Sequence, residues 1–276
     1  MGWLMPALVE VTLHVLSARP GGLLGVPLHG LLFSALERVN AALSERLHAA
    51  EVKGFRIGQS RWEETASGAH LTFQVGVLDD SLLGPLLEAL TVGRTHGSEA
   101  TTLRGEVLAV QITAQESYGD LYARHASDVS GRDLHFTFLT PTTFRTTDLD
   151  MPFPVPKTVY YGLQRRWEAF SDLHFGAELT NWVGRAVRVR DYRLKPRTVQ
   201  FKGARGSAMT ASLGEVHYVI ARPGDAEPTF VRLLTEFANY AGVGYKTTFG
   251  LGHVETWGWH DHLQAAAGQT AGIDPD

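Results

Sequence analysis

The sequence predicts an α+β protein built from tandem ferredoxin-like (split βαβ, RRM-like) domains. Apolar patterns of strand and helix period follow one another in the order strand–helix–strand–strand–helix–strand. That order occurs twice, and a polar stretch without periodicity, Gly119 to Arg132, separates the two copies. A length of 276 residues accommodates two units, each large enough to bury its own core. The expected division is residues 1–129, residues 130–262 and an Ala/Gly-rich, frayed tail at 263–276.

Residues 5–16 alternate, with Ala7, Val9, Val11, Leu13 and Val15 on one face and Glu10, Thr12 and His14 on the other, as in a half-buried strand. After the Pro20-Gly21-Gly22 break, Leu28, Leu31, Leu32, Ala35, Leu36, Val39, Leu43 and Leu47 recur at intervals of three and four. This stripe predicts one helix over 27–48, with Pro27 in its first turn. Strands are expected at 54–62 and 69–78 around a Ser67-Gly68 turn, then a helix at about 80–91 and a strand at 105–114. In the second copy Leu134 to Leu139 reads as a strand, and the Pro-rich run Met151 to Pro156 leads into a helix at 157–170. Strand patterns at 185–192, 197–203 and 212–221 imply one pairing beyond the basic unit. A helix at 228–240, a glycine-rich stretch and a strand at 252–257 complete it.

Composition excludes several classes. A hydrophobic fraction of 44% and a charged fraction of 20% are ordinary for a soluble globular chain. The lack of cysteine rules out a disulfide framework and thiolate metal sites and fits a reducing, cytoplasmic setting. No basic segment followed by an apolar core opens the chain, and no apolar run is long enough to span a bilayer, so neither a signal peptide nor a membrane partner is expected. The net charge of −4 conceals a segregation. Residues 1–129 hold 9 Lys and Arg against 14 Asp and Glu, whereas residues 130–262 hold 16 against 13. A local basic patch matters more to a polyanion than the total does.

Three stretches could carry chemistry. The first is Gly242-Val243-Gly244-Tyr245-Lys246-Thr247-Thr248-Phe249-Gly250-Leu251-Gly252, which lies between a helix and a strand. Its four glycines let bare backbone approach an anion or another backbone, and Lys246, Thr247 and Thr248 add a charge and hydroxyls. It is neither a P-loop nor a dinucleotide fingerprint, since Lys246 precedes the last glycine pair and the loop follows a helix. A plain glycine-rich turn is the alternative. The second stretch is Glu45-Arg46-Leu47-His48, at a helix end just before a basic strand entry, Lys53 and Arg56. A helix C-terminus favours the imidazolium, and histidine serves as acid or base near neutrality. A C-capping histidine is the plain alternative.

The third is the run Arg185 to Arg205, in which Arg185, Arg188, Arg190, Arg193, Lys195, Arg197, Lys202 and Arg205 face a single acid, Asp191. On a regular strand Arg188, Arg190 and Tyr192 would share one face and Val187 and Val189 the other. Such a stripe suits phosphates, with Tyr192 free to stack on an unpaired base, and a solvated edge strand is the bland reading. Trp257-Gly258-Trp259-His260-Asp261-His262 contains an H-x-H pair, too few ligands for a metal site, and no metal-nuclease pattern occurs elsewhere, so no metal or other cofactor is expected.

The pattern G-x-G-x-K-[ST]-[ST]-x-G-x-G after a helix ending in Tyr240-Ala241 resembles the terminal glycine-rich loop of CRISPR-associated endoribonucleases of the RAMP superfamily, which cut the repeats of precursor CRISPR RNA. The segment "DLHFTFLTPTTFR", Asp133 to Arg145, looks like the opening strand of that family's second domain. The resemblance implies tandem ferredoxin-like domains and metal-independent cleavage by the 2′-hydroxyl, leaving a 2′,3′-cyclic phosphate and a 5′-hydroxyl. It implies His48 as the catalytic histidine and Lys53 as a cation at the scissile phosphate. Repeat RNA would be held by Arg188, Arg190, Tyr192, Arg193, Lys195, Arg197, Lys202 and the loop residues Gly242, Gly244, Lys246, Thr247, Gly250 and Gly252. Where some members place a catalytic tyrosine, this chain reads Leu31-Leu32-Phe33-Ser34, which leaves the second proton-transfer group open. His29, surrounded by apolar residues, reads as a satisfied, half-buried histidine. The alternatives are a non-cleaving RAMP subunit that binds CRISPR RNA in an effector complex and an unrelated enzyme whose loop holds a phosphorylated metabolite. Other effector subunits and a second copy of the chain are the further partners to consider.

Overall fold

The computed structural model describes residues 5–97, 103–126, 131–147, 149–201 and 208–257. The first half runs β1 (Ala7–Val15), α1 (Gly25–Val39), α2 (Ala41–Ala49), β2 (Phe55–Thr65), β3 (Gly68–Val77), α3 (Asp80–Ala89), β4 (Thr95–His96) and β5 (Gly105–Gln115). These strands form one antiparallel sheet in the order β2-β3-β1-β5-β4. After α4 (Tyr118–Ala126) come β6 (Asp133–Thr142), β7 (Phe144–Thr146), β8 (Leu149–Met151), α5 (Pro156–Phe170), α6 (Glu178–Ala186), β9 (Val187–Gln200), β10 (Ala208–Ile220) and α7 (Glu227–Ala241). A 3-10 turn (Thr247–Phe249) and β11 (Val254–Thr256) close the second half. Its main sheet is antiparallel, in the order β11-β6-β10-β9, and β7 and β8 pair as a separate small ribbon. Each half is the split βαβ arrangement, with β4 an added edge in the first.

Each sheet buries one face under helices. In the first half Leu28, Leu31, Leu32, Ala35 and Leu36 of α1 lie against Val9, Val11, Leu13, Phe73 and Val75. A fully buried leucine contributes roughly 1.5–3 kcal/mol, so this stripe is a main source of stability. In the second half Phe136, Tyr218, Tyr160, Trp167 and Phe237 fill the space between sheet and helices. That core also takes in Leu8, Leu78 and Leu121 from the other side of the chain's midpoint, so the two halves share apolar surface. Among the described residues no helix is long and apolar enough to cross a membrane.

Three expectations are corrected. The helix expected over 27–48 is two helices. Asn40 leaves helical geometry at φ −150°, and its Oδ1 accepts from Leu43 N at 3.0 Å, capping α2. The aperiodic stretch expected to separate the two halves, Gly119 to Arg132, is helical to Ala126. Ser117 Oγ accepts from Asp120 N at 2.9 Å at its start, and Leu121 is fully buried. Tyr118, Leu121 and Tyr122 stand at helical spacing and pack on the second core, a signal too short to stand out in a polar run.

The two strands expected at 185–192 and 197–203 are one continuous strand, β9, so the additional pairing there does not exist. Pro196 is tolerated because β9 is an edge strand. The residues before it form α6, where Leu179, Val183 and Ala186 are buried at helical spacing, a signal passed over in the sequence.

Candidate functional site

The end of α2 sets the first part of the site. Lys53 Nζ donates to Leu47 O at 2.9 Å and His48 O at 2.6 Å, satisfying carbonyls that the helix leaves free. Lysine, not histidine, therefore caps this helix. The His48 imidazole is exposed, makes no hydrogen bond among the described residues and meets the Phe33 ring edge-on at 5.4 Å. An ammonium has three donors, so one Lys53 N–H remains for a ligand. Burial lowers the Lys53 pKa.

His29 stands on the other side of Phe33, with ring centroids 4.7 Å apart, and stacks on Phe249 at 4.1 Å. Its Nδ1 lies 3.1 Å from Thr248 O. Burial pushes its pKa down to about 4; the bond to Thr248 opposes this, and the charges of His48 and Lys53 add to it. Neutral His29 thus donates from Nδ1 and keeps a lone pair on Nε2. The half-buried, satisfied state expected for it is what is found. Phe33, where the resemblance called for a phenol, is the ring that separates the two imidazoles.

Thr248 and Phe249 belong to the glycine-rich loop, which is folded onto the first half. Gly25 approaches so closely that a Cβ there would overlap Phe249 O, and Gly252 (φ +72°) so closely that a Cβ would overlap Val243 O. Gly242, Val243, Tyr245, Phe249, Gly250 and Gly252 spend their N–H groups on carbonyls of the protein itself. Arg166 takes the carbonyls of Gly242 and Gly244 at 3.0 and 2.7 Å. Thr247 is buried. Lys246 holds an αL backbone (φ 57°), and its Nζ lies 4.0 Å from the Phe201 ring centroid. Burial, then the nearby Arg145, lowers its pKa.

Between Lys53 and this loop lies a cavity of about 470 Å³, with Lys53, Arg145, Arg165, Arg166 and Lys246 on its wall against one carboxylate, Glu51. Arg165 pairs with Glu51 at 2.7 Å and Arg145 approaches Asp150 at 3.6 Å. Sequence reading missed Arg145, Arg165 and Arg166, because they come from the β7 ribbon and α5 and converge only in three dimensions. Arg56, read as part of a basic strand entry, is instead fully buried and clamps α7.

The basic strand β9 keeps its charge in solvent but not the face expected. A register shift between His217 and Tyr218 leaves Arg190 as an extra residue. Val187 and Val189 point to the core, opposite Ile220 and Tyr218, as expected. Beyond the bulge the parity reverses. Tyr192 lies opposite buried Val216, on the helix-covered side, with its ring 5.3 Å from Phe153. It is therefore not on the face of Arg188. Arg193, Lys195 and Arg197 take the open face, and the same parity leads on to buried Val199 and to Phe201, packed near Leu251 and Lys246. Arg190 is paired with Asp133 at 2.6 Å. Lys202 and Arg205, and the H-x-H pair His260 and His262, lie outside the described residues.

Chemically, this is a cation-lined cavity with Lys53 on its wall, the exposed imidazole of His48, whose carbonyl Lys53 holds, and a neutral imidazole stacked on Phe249 of that wall. The family model described as CRISPR-associated endoribonuclease Cas6 matches residues 136–254. A curated relative, CRISPR-associated endoribonuclease Cas6 of Mycobacterium tuberculosis (strain ATCC 25618 / H37Rv), is 24% identical over 243 residues, 84% of this chain and 71% of its own. Among solved structures, a Thermus thermophilus Cas6 product complex superposes with a TM-score of 0.74 at 24% identity, over 91% of this chain and 99% of that one. A second Cas6 product complex gives a TM-score of 0.67 at 26% identity, over 90% and 99%. A structure described as a RAMP protein binding different RNA substrates shares the fold, with a TM-score of 0.56 at 12% identity, over 91% and 99%.

Proposed function

We propose that the chain is a CRISPR-associated endoribonuclease like the Cas6 proteins it resembles, and that its own residues bind and cut CRISPR repeat RNA as follows. Cleavage is metal-independent. The 2′-hydroxyl attacks the adjacent phosphate in line, giving a 2′,3′-cyclic phosphate and a 5′-hydroxyl end. His48 transfers the proton, and Lys53 uses its remaining N–H on the phosphorane, whose extra negative charge it stabilises more than the ground state. The observation that carries this reading is the exposed His48 imidazole, freed from helix capping by Lys53, which itself lines a cavity walled by cations. His29 is the candidate second group, as an acceptor through Nε2.

Arg188, Arg193, Lys195 and Arg197 hold phosphates along the open face. Arg190 and Tyr192 act at the sheet edge, and Lys202 extends the run. Lys246 and Thr247, positioned by Gly242, Gly244, Gly250 and Gly252, complete the RNA path. The first and second halves form the domains 1–129 and 130–262, with a cytoplasmic site of action. Further effector subunits or a second copy of the chain are additional partners.

The test is cleavage of a repeat-containing RNA in EDTA by wild type and His48→Ala, with a 2′-deoxy substitution at the cut site as the chemical control. The expected result is a single cut by wild type in EDTA, a loss of cutting of about 100-fold or more in His48→Ala, as expected when an acid–base group is removed, no cutting of the 2′-deoxy RNA, which lacks the nucleophile, and retained binding in both cases. Binding without cutting by wild type would make the chain a binding subunit. Equal cutting by His48→Ala would remove His48 from the mechanism.

A further inference from the structure

Away from the cavity, β6 and β10 bring together three side chains that the cleavage reaction does not use. His135 and His217 are directly opposed in the antiparallel register, and Glu215 lies two positions from His217 on the same face. Phe136 and Val216, on the opposite side, fill the core, so the three project from the sheet face without helices. All three are half-buried. One ligand atom from each lies within 4.8 Å of the others, and the two imidazole centroids are 4.2 Å apart.

We propose that His135, Glu215 and His217 form a binding site for a divalent transition metal, with zinc as the fitting ion. Two imidazoles and a carboxylate are the donor set of a three-ligand zinc site, in which a fourth position stays open. An all-oxygen site would instead suit magnesium or calcium.

Several observations favour a ligand over an idle cluster. His135 Nε2 is buried and has no hydrogen-bond partner, a state that costs free energy unless something fills it. Among the described residues, neither the His217 imidazole nor the Glu215 carboxylate makes a hydrogen bond or an ion pair, although Glu215 lies opposite Arg193 across the sheet. Zinc bonds of about 2.0–2.1 Å require donor atoms closer together than 4.8 Å, and rotation of these three unrestrained side chains supplies that closure. Opposed positions on antiparallel strands place two Cβ atoms about 4.5–5.5 Å apart, close enough for two rings to reach one ion. The bound ion would tie β6 to β10 on the sheet's open side. It shares no residue with the cavity of the cleavage site.

The experiment is titration of metal-stripped full-length protein with Co²⁺, followed by visible absorption, and with Zn²⁺, followed by calorimetry. Wild type is expected to bind one equivalent with the strong absorption of low-coordinate cobalt, and its Tm should rise with zinc concentration. His217→Ala and Glu215→Gln should each weaken binding at least about 10-fold and abolish the zinc-dependent rise in Tm. The double variant His260→Ala/His262→Ala should bind as wild type does. Circular dichroism without metal checks that each variant folds, and if His217→Ala does not, Glu215→Gln decides. The proposal is overturned if wild type takes up no metal, if Glu215→Gln binds as tightly as wild type, or if only the His260/His262 variant loses binding.

Discussion

Replacing Arg56 by methionine tests whether the two halves are held in register by one buried guanidinium. Nε donates to Tyr240 O at 2.9 Å, and Nη2 donates to Asn239 O at 2.5 Å and Gln74 Oε1 at 2.7 Å. Asn239 and Tyr240 lie in the last turn of α7, so a residue of β2 caps the helix that leads into the glycine loop. Methionine keeps much of the stem's volume but leaves both carbonyls without a donor, at about 1–3 kcal/mol each. Relief of the buried charge opposes this loss. Burial pushes the Arg56 pKa down to about 9, with only Glu255 acting against it, so the charge is costly to keep there. The carbonyls win because they remain buried whichever side chain faces them. Counting Gln74 Oε1, three hydrogen bonds from a charged donor sum to about 7 kcal/mol against a relief of roughly 5 kcal/mol from the lowered pKa, so the expected net loss is about 2 kcal/mol, a factor of roughly 30 in the folding equilibrium. Urea denaturation reads it as a lower midpoint at unchanged m-value. Arg56→Lys should recover part of the loss, since an ammonium is one point charge where a planar fork is needed. A loss below about 1 kcal/mol for Arg56→Met would refute the clamp.

Three further outcomes are expected. Stability should fall as pH drops from 6.5 towards about 4, because the unfolded chain there binds a proton that native His29 refuses. The loss is at most about 3 kcal/mol, and His253, depressed by burial and by Arg56, adds to it with the same sign. In His29→Gln the pH slope of the urea midpoint should be shallower than in wild type; parallel curves would contradict the assignment. Gly252→Ala should cost about 3 kcal/mol or more, since positive φ alone costs roughly 1–2 kcal/mol and the new Cβ overlaps Val243 O; an unchanged Tm would show that the loop gives way. Arg193→Ala should weaken RNA binding evenly across sequences and lower the slope of log K against log salt by about one, while Arg190→Ala, already paired with Asp133, should change it less; equal slopes would remove β9 from the interface.

What the sequence determined by itself was local. Alternation from Ala7 to Val15, the leucine stripe of α1 and the helix before Gly242 are set by neighbours within a few residues, so the element order and the paired split βαβ plan were legible. The Leu47-His48 helix end and the glycine-rich loop were visible for the same reason. Tertiary structure alone decided what those elements meet. His29 is tied to Thr248 across 219 positions, and Arg56 to Tyr240 across 184, and no local pattern encodes such pairs. Arg145, Arg165 and Arg166 acquire a common role only when the β7 ribbon and α5 close on the loop.

The faces of β9 show the limit most clearly. A strand's period is two, so one extra residue at Arg190 sends Tyr192 to the opposite side from Arg188. The bulge comes from pairing with β10, and a strand read alone carries no trace of its partner's register.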